Sequence, residues 1–340
     1  MRPNNYAGVC RSCGTTVEAQ AGQIKLDVSS DKWITYHLDG ACPAAGSVKV
    51  IDGVDPKDSA VDKVISLMTA KFTDLVPELV AMNLAKLSRV AEIKVGKAPA
   101  VKMETAHNAL PDVVTMAVAG VFPFLVGPAG SGKTTLAEQV CTVLGRKFYC
   151  ESRVTSEFKL LGFIDAAGHV VRTQFREAFE HGGGFLLDEV DASDPDALTA
   201  FNSALANRMC AFPDKLVKAH PDFFAIAAGN TYGRGADRQY VGRNQLDAAT
   251  LDRFAIMEVD YDEMLELELS GNPEWARYVQ KVRAAIEDEK VRHIVSPRAS
   301  IGGAKLLAHG MDRAKVEESV IWKGLSSAER IRVQARLGRS

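Results

Sequence analysis

The sequence predicts an α/β fold, in which a phosphate-binding loop sits on a central parallel sheet flanked by helices. A helical lid follows, and a small zinc-ribbon-like module precedes. Three observations carry this prediction. Gly127 to Thr134 reads Gly-Pro-Ala-Gly-Ser-Gly-Lys-Thr, the G-x-x-x-x-G-K-[ST] spacing of a loop that closes its backbone N–H groups around phosphates. Phe185 to Glu189 is an apolar run that ends in two acids, the pattern of a buried parallel strand reaching a ligand edge. After Asp262 no strand pattern survives and helical periodicity takes over.

The chain has 340 residues, enough for more than one domain. The expected divisions are 1–50 for the zinc module, 51–104 for a helical linker and short strand, 105–261 for the α/β core and 262–340 for the lid. A composition of 46% hydrophobic and 25% charged residues excludes a wholly disordered chain. The net charge of −2 gives no global attraction to nucleic acid or anionic membranes, although a local basic groove is compatible with it. Val113 to Gly132 is uncharged, but Gly120, Pro123, Gly127 and Pro128 break it, so it is not read as a membrane span. The polar start lacks an apolar segment of secretory type, and the cytoplasm is the expected location.

Near the N-terminus, Cys10-Arg-Ser-Cys13-Gly14 forms a C-x-x-C turn, and His37 and Cys42 follow at an accepted ligand spacing. They are expected to make a closed Cys₃His zinc site, around strands at Gln23 to Val28 and Trp33 to His37. The bland alternative is a reduced cysteine pair beside an ordinary histidine. A redox pair is disfavoured, because no strand-loop-helix context surrounds the motif. Cys141, Cys150 and Cys210 lie in apolar runs and read as small core residues. Val48 to Pro56 marks a boundary, and Lys57 to Ile93 has the apolar spacing of two helices, with Pro77 starting the second. A short strand and loop at Ile93 to Met103 then leads to a helix ending at Val118, with Thr105 as its expected cap.

The core elements come next in order. Val121 to Val126 is a strand and Thr135 to Leu144 a helix, so the loop between them places phosphates at a positive helix end. Lys147 to Cys150 is a second strand, and Ser156 to Val171 reads as a helix broken by a hairpin. Helix resumes at Phe175 to Phe179 until Gly182-Gly-Gly184 stops it. After the acidic strand, Asp194-Pro195-Asp196 starts a helix running through Ala206. Phe223 to Ala228 is another buried strand, with Asn230 just past its end. Leu246 to Phe254 is read as a helix that carries Arg253, and Ala255 to Val259 as the last strand. Helices are expected at Asp262 to Leu269, Glu274 to Lys290, Pro297 to His309, Ala314 to Trp322 and Ala328 to Leu337. The arginines at 330, 332, 336 and 339 read as a solvated helix face.

These motifs in this order resemble the AAA+ ATPases, and within them the MoxR group with its CobS, CbbQ and NorQ types. Gly229-Asn-Thr-Tyr-Gly233 and Tyr240 to Phe254 look especially like CobS-related ATPases of bacteria and phages. The resemblance implies that Gly127, Pro128, Ala129, Gly130, Ser131, Gly132, Lys133, Thr134 and Thr135 hold ATP, and that Thr134 and Asp188 hold Mg²⁺. It implies Glu189 as the residue that activates water, Asn230 as its helper, Arg298 as the nucleotide sensor of the lid and Arg253 as the arginine finger of a neighbouring subunit. Arg238 and Arg243 are rival fingers. The implied assembly is a homo-oligomeric ring, a hexamer, that remodels a protein partner, in some relatives a von Willebrand A-domain protein. The alternatives are a nucleic-acid motor that grips DNA through the zinc module, which the near-neutral charge disfavours, and a small-molecule kinase, which the paired acids argue against.

Overall fold

The structure, a computed structural model, describes residues 2–3, 7–10, 16–27, 32–37, 91–95 and 100–338. The chain divides into two units, Met1–Val76 and Pro77–Ser340. In the first, β1 (Arg2–Pro3) and β5 (Lys32–His37) flank β4 (Gly22–Asp27) in an antiparallel sheet, and β2 (Gly8–Val9) pairs with β3 (Thr16–Val17). An isolated bridge sets Cys10 against Thr35 of β5. Cys13 and Cys42 lie outside the described residues, as does nearly all of the helix pair expected between 57 and 93.

The second unit opens with an antiparallel hairpin of β6 (Ala91–Ile93) and β7 (Val101–Met103), where a strand and loop were expected. Its centre is a five-stranded sheet. The strands are β8 (Phe122–Val126), β9 (Phe148–Ser152), β12 (Gly183–Asp188), β15 (Phe223–Gly229) and β16 (Phe254–Glu258), in the order β16-β8-β15-β12-β9 and all parallel. Side chains along each strand alternate between two cores. Phe185 and Leu187 of β12 pack with Phe175, Phe179 and Phe201 on one face, while Leu186 joins Leu110, Leu136 and Val140 on the other. Apolar residues at every position therefore result from burial on both faces.

Two expectations need correction, and two features go beyond what was expected. Thr105 does not cap the next helix, which runs Leu110–Val118 from Ala109 without a side-chain cap; the Thr105 carbonyl instead accepts a hydrogen bond from Gln139 Nε2 at 2.6 Å. The helix expected over 246–254 is a single turn, Ala248–Leu251, because Leu246 N–H bonds to Gly233 O and the Asp247 side chain caps that turn. The glycines at 183 and 184 do more than stop a helix. They begin β12, and a Cβ on Gly184 would stand 2.3 Å from Cys141 Sγ, so only a bare backbone fits there. A hairpin of β13 (Met209–Ala211) and β14 (Leu216–Lys218) was not expected, since three-residue strands are too short to show a period. The broken helix is as read: helix Phe158–Leu161, then β10 (Phe163–Ile164) paired with β11 (Val170–Val171).

Beyond β16 come five helices, Glu263–Ser270, Pro273–Asp288, Pro297–Ala308, Arg313–Val320 and Ser327–Leu337. They close on a third core of Trp275, Val279, Val282, Val316, Trp322 and Val333. Burial holds Cys141 and Cys210 as inert thiols, pushing their pKa up to about 12 and about 11. Among the described residues no helix is long and apolar enough to cross a membrane.

Candidate active site

The strand ends β8, β12 and β15 emerge side by side at the carboxyl edge of the sheet, where ligands of open parallel sheets bind. The loop after β8 turns into the helix Lys133–Val143, whose first N–H groups and dipole favour an anion. The turn needs two glycines in the left-handed region, Gly130 at φ 83° and Gly132 at φ 90°. A Cβ on Gly130 would also stand 2.8 Å from Ser296.

Lys133 is folded back over its own loop. Its Nζ donates to Gly127 O at 2.7 Å, Pro128 O at 3.0 Å and Asn230 Oδ1 at 3.0 Å, so three acceptors serve the three donors of the ammonium. Burial pushes its pKa down to about 8, against the opposing pull of Asp188 and Asp191. Thr134 Oγ1 donates to Asp188 Oδ2 at 2.9 Å, and Asp188 Oδ1 accepts the Glu189 N–H at 2.9 Å. Two hard oxygen donors thus stand together beside the loop, as a divalent cation such as Mg²⁺ requires.

These groups line a cavity of about 660 Å³. Ala129 to Thr135, Asp188, Glu189 and Asn230 line it together with Thr105, His107, Gln139, Leu265 and Leu269, and Arg298 lines it from the first turn of the helix Pro297–Ala308. Ser131 Oγ and Gln139 Oε1, both on lining residues, are buried without a partner among the described residues. The amides that open the helix Lys133–Val143, a desolvated lysine and unmet polar atoms fit a nucleotide carrying phosphates. The sequence motif does not disclose the walls at Thr105, His107 and Leu265, because they come from segments more than a hundred residues apart.

Of the expected residues, Gly127 and Pro128 contribute carbonyls to Lys133 and stand outside the cavity lining. Arg253 is not at this cavity: its Nε donates to Asn202 O at 3.2 Å and its NH1 to Ala249 O. Arg238 is likewise elsewhere, donating to Lys290 O at 2.8 Å. Arg243 turns inward to Glu189 and to Asp191, a fully buried acid that the sequence reading left without a role. The signal was present in the spacing Asp188-Glu189-Val190-Asp191. For the zinc site, Cys10 is buried, and among the described residues no group of three His, Cys, Asp or Glu could hold a metal.

Residues 123–254 match the AAA domain of the dynein-related subfamily. The chain therefore carries an AAA+ ATPase domain. It is 30% identical over 186 residues to an uncharacterized protein of Staphylococcus epidermidis, covering 50% of this chain and 64% of that protein. It is also 31% identical over 151 residues to an uncharacterized protein of Staphylococcus aureus, covering 40% of this chain and 54% of that one. The chain thus spans between about half and two thirds of these relatives' lengths. Among solved structures it is similar to a mutant of Thermotoga maritima RuvB, at 18% identity and a TM-score of 0.42, covering 66% of this chain and 70% of that one. It is also similar to NtrX from Brucella abortus, at 15% identity and a TM-score of 0.40, covering 83% of this chain and 59% of that one.

Proposed function

We propose that the chain is an ATP-hydrolysing ring ATPase of the MoxR group, CobS-like, that remodels or activates a protein partner. One observation carries the hydrolytic part: Lys133 bonded to Asn230, the Thr134–Asp188 pair and Glu189 line a single cavity. Lys133 exchanges its carbonyl partners for the β- and γ-phosphate oxygens, and the amides of Gly130 and of Gly132 to Thr135 take the remaining charge. Thr134 and Asp188 would hold a Mg²⁺ ion, whose charge would offset that of the phosphate oxygens. Glu189 takes the proton of the attacking water as the water oxygen bonds to the γ-phosphorus and the bond to the β–γ bridging oxygen breaks, releasing ADP and phosphate, and Asn230 holds that water in line. Arg298 faces the same cavity from the C-terminal helices, which act as a lid over the nucleotide. Its position favours a sensing role.

Arg253, bound away from its own cavity, is the residue that a neighbouring subunit would receive, and this makes a hexameric ring the working assembly. Partner capture tests the function: the Glu189→Gln chain loaded with ATP should retain a protein, such as one bearing a von Willebrand A domain, and ATP turnover should rise with that protein. Turnover that rises with DNA and with no protein would replace this reading by a nucleic-acid motor.

The zinc site of Cys10, Cys13, His37 and Cys42 is part of the same proposal. Its support is the bridge between Cys10 and Thr35, which brings the first ligand alongside the strand that ends at His37. The purified chain is expected to carry stoichiometric zinc by elemental analysis, lost in Cys13→Ser; a zinc-free native chain removes the site.

A further inference from the structure

Of the four arginines between Asn230 and β16, the sequence offers three for one role, Arg253 first with Arg238 and Arg243 as its rivals. Their surroundings differ. Arg238 and Arg253 reach backbone carbonyls outside the cavity, whereas Arg243 is directed at two carboxylates at once. Its NH2 lies 3.4 Å from Glu189 Oε1 and its NH1 3.2 Å from Asp191 Oδ1, and its side chain is 12% exposed. A guanidinium carries its donors in a rigid planar fork, so two acids bound to its ends are held at a fixed relation to each other.

Asp191 is the fixed end of this bridge. Its side chain is fully buried, and Oδ2 accepts the Asn230 N–H at 3.0 Å, the Thr231 N–H at 2.9 Å and the Thr231 hydroxyl at 2.9 Å. Its carbonyl accepts the Asn244 N–H at 2.6 Å, which pins the residue next to Arg243. Glu189 is the exposed end. Its backbone is left-handed, at φ 51° and ψ 40°, and its side chain is 44% exposed. Among the described residues its carboxylate has one polar partner, Arg243. Neither burial nor strand geometry therefore aims the carboxylate; the arginine does.

We infer that Arg243 is a positioning residue acting within its own subunit, holding the Glu189 carboxylate in register with Asn230 through the Asp191 anchor. The inference rests on the ATPase function proposed for the site. It assigns Arg243 to the chemistry of its own site and removes it from the candidates for a finger supplied to a neighbour. Losing it frees the base to rotate while leaving the contacts of Lys133 and Thr134 intact, so kcat falls and KM holds.

The test is steady-state ATP turnover of the full chain. Arg243→Ala is expected to lower kcat by about 10²-fold, the scale of a misplaced catalytic group, with KM within about three-fold of wild type. Arg243→Lys, which keeps the charge beside Asp191 and loses the fork, should recover part of that loss. Mixing Arg243→Ala with Lys133→Ala subunits should restore nothing, because an intact Arg243 in one subunit cannot aim the base of another. Recovery on mixing, an unchanged kcat, or a loss confined to KM each overturns the inference. Should Arg243→Ala fail to fold, Arg243→Lys carries the same reading, and wild-type kcat in that variant overturns it. A wild-type chain that turns over no ATP overturns the ATPase reading as well, whereas an active wild type matched by Arg243→Ala overturns the Arg243 assignment alone.

Discussion

Glu189→Gln is expected to lower ATP turnover by about 10²- to 10⁴-fold, the range that a positioned general base supplies, while ATP still binds. The expectation comes from the contacts that the substitution leaves alone. The phosphate loop, Lys133 and the Thr134–Asp188 pair make no side-chain contact with Glu189 among the described residues, so the cradle for the phosphates survives. The Glu189 N–H that bonds Asp188 belongs to the backbone and also survives. An amide in place of the carboxylate cannot take a proton from water at neutral pH. Single-turnover hydrolysis together with equilibrium binding of ATP separates the two effects. Wild-type turnover in the variant would remove Glu189 as the base, and lost binding would place its role in the cradle.

Arg253→Ala is expected to cost about 10³-fold or more in turnover, the scale of arginine fingers in phosphoryl transfer. Its own cavity does not contain it, and on the function proposed above the loss is felt by a neighbour. Subunits with Arg253→Ala keep an intact phosphate loop, and Lys133→Ala subunits keep an intact finger. A mixed ring therefore contains some complete sites, and recovered activity on mixing is the expected result. A monomeric, fully active Arg253→Ala chain would instead reduce Arg253 to a clasp between the carbonyls of Asn202 and Ala249. The two mixing experiments, on Arg253 and on Arg243, are expected to give opposite answers.

The part of this site that the sequence disclosed is local. The phosphate loop, the acids that end β12 and the asparagine past β15 are each written in a few consecutive residues, because a parallel sheet turns strand ends into neighbours. The part it concealed is long-range. The Arg243–Asp191 contact joins residues 52 apart, and nothing in either segment alone distinguishes Arg243 from Arg238. The part of the cavity near His107 and Leu265 was hidden for the same reason. Element ends failed where a tertiary contact overrode propensity: the turn at Leu246 is set by its bond to Gly233, and the helix expected there shrinks to the four residues Ala248–Leu251. The short strands β13 and β14 were concealed by length alone.

Ala129 is held through both of its backbone polar groups. Its N–H donates to the Tyr240 hydroxyl at 2.9 Å, and its carbonyl accepts from the Tyr261 hydroxyl at 3.0 Å. Burial pushes the Tyr261 pKa up to about 12, so this phenol remains a donor at every physiological pH. Tyr261 directly precedes Asp262, which caps the first C-terminal helix, and Tyr240 belongs to the same loop as Arg243. The two hydroxyls therefore fix two successive peptide planes of the glycine-rich loop, one to the segment that carries Arg243 and the other to the start of the C-terminal helices.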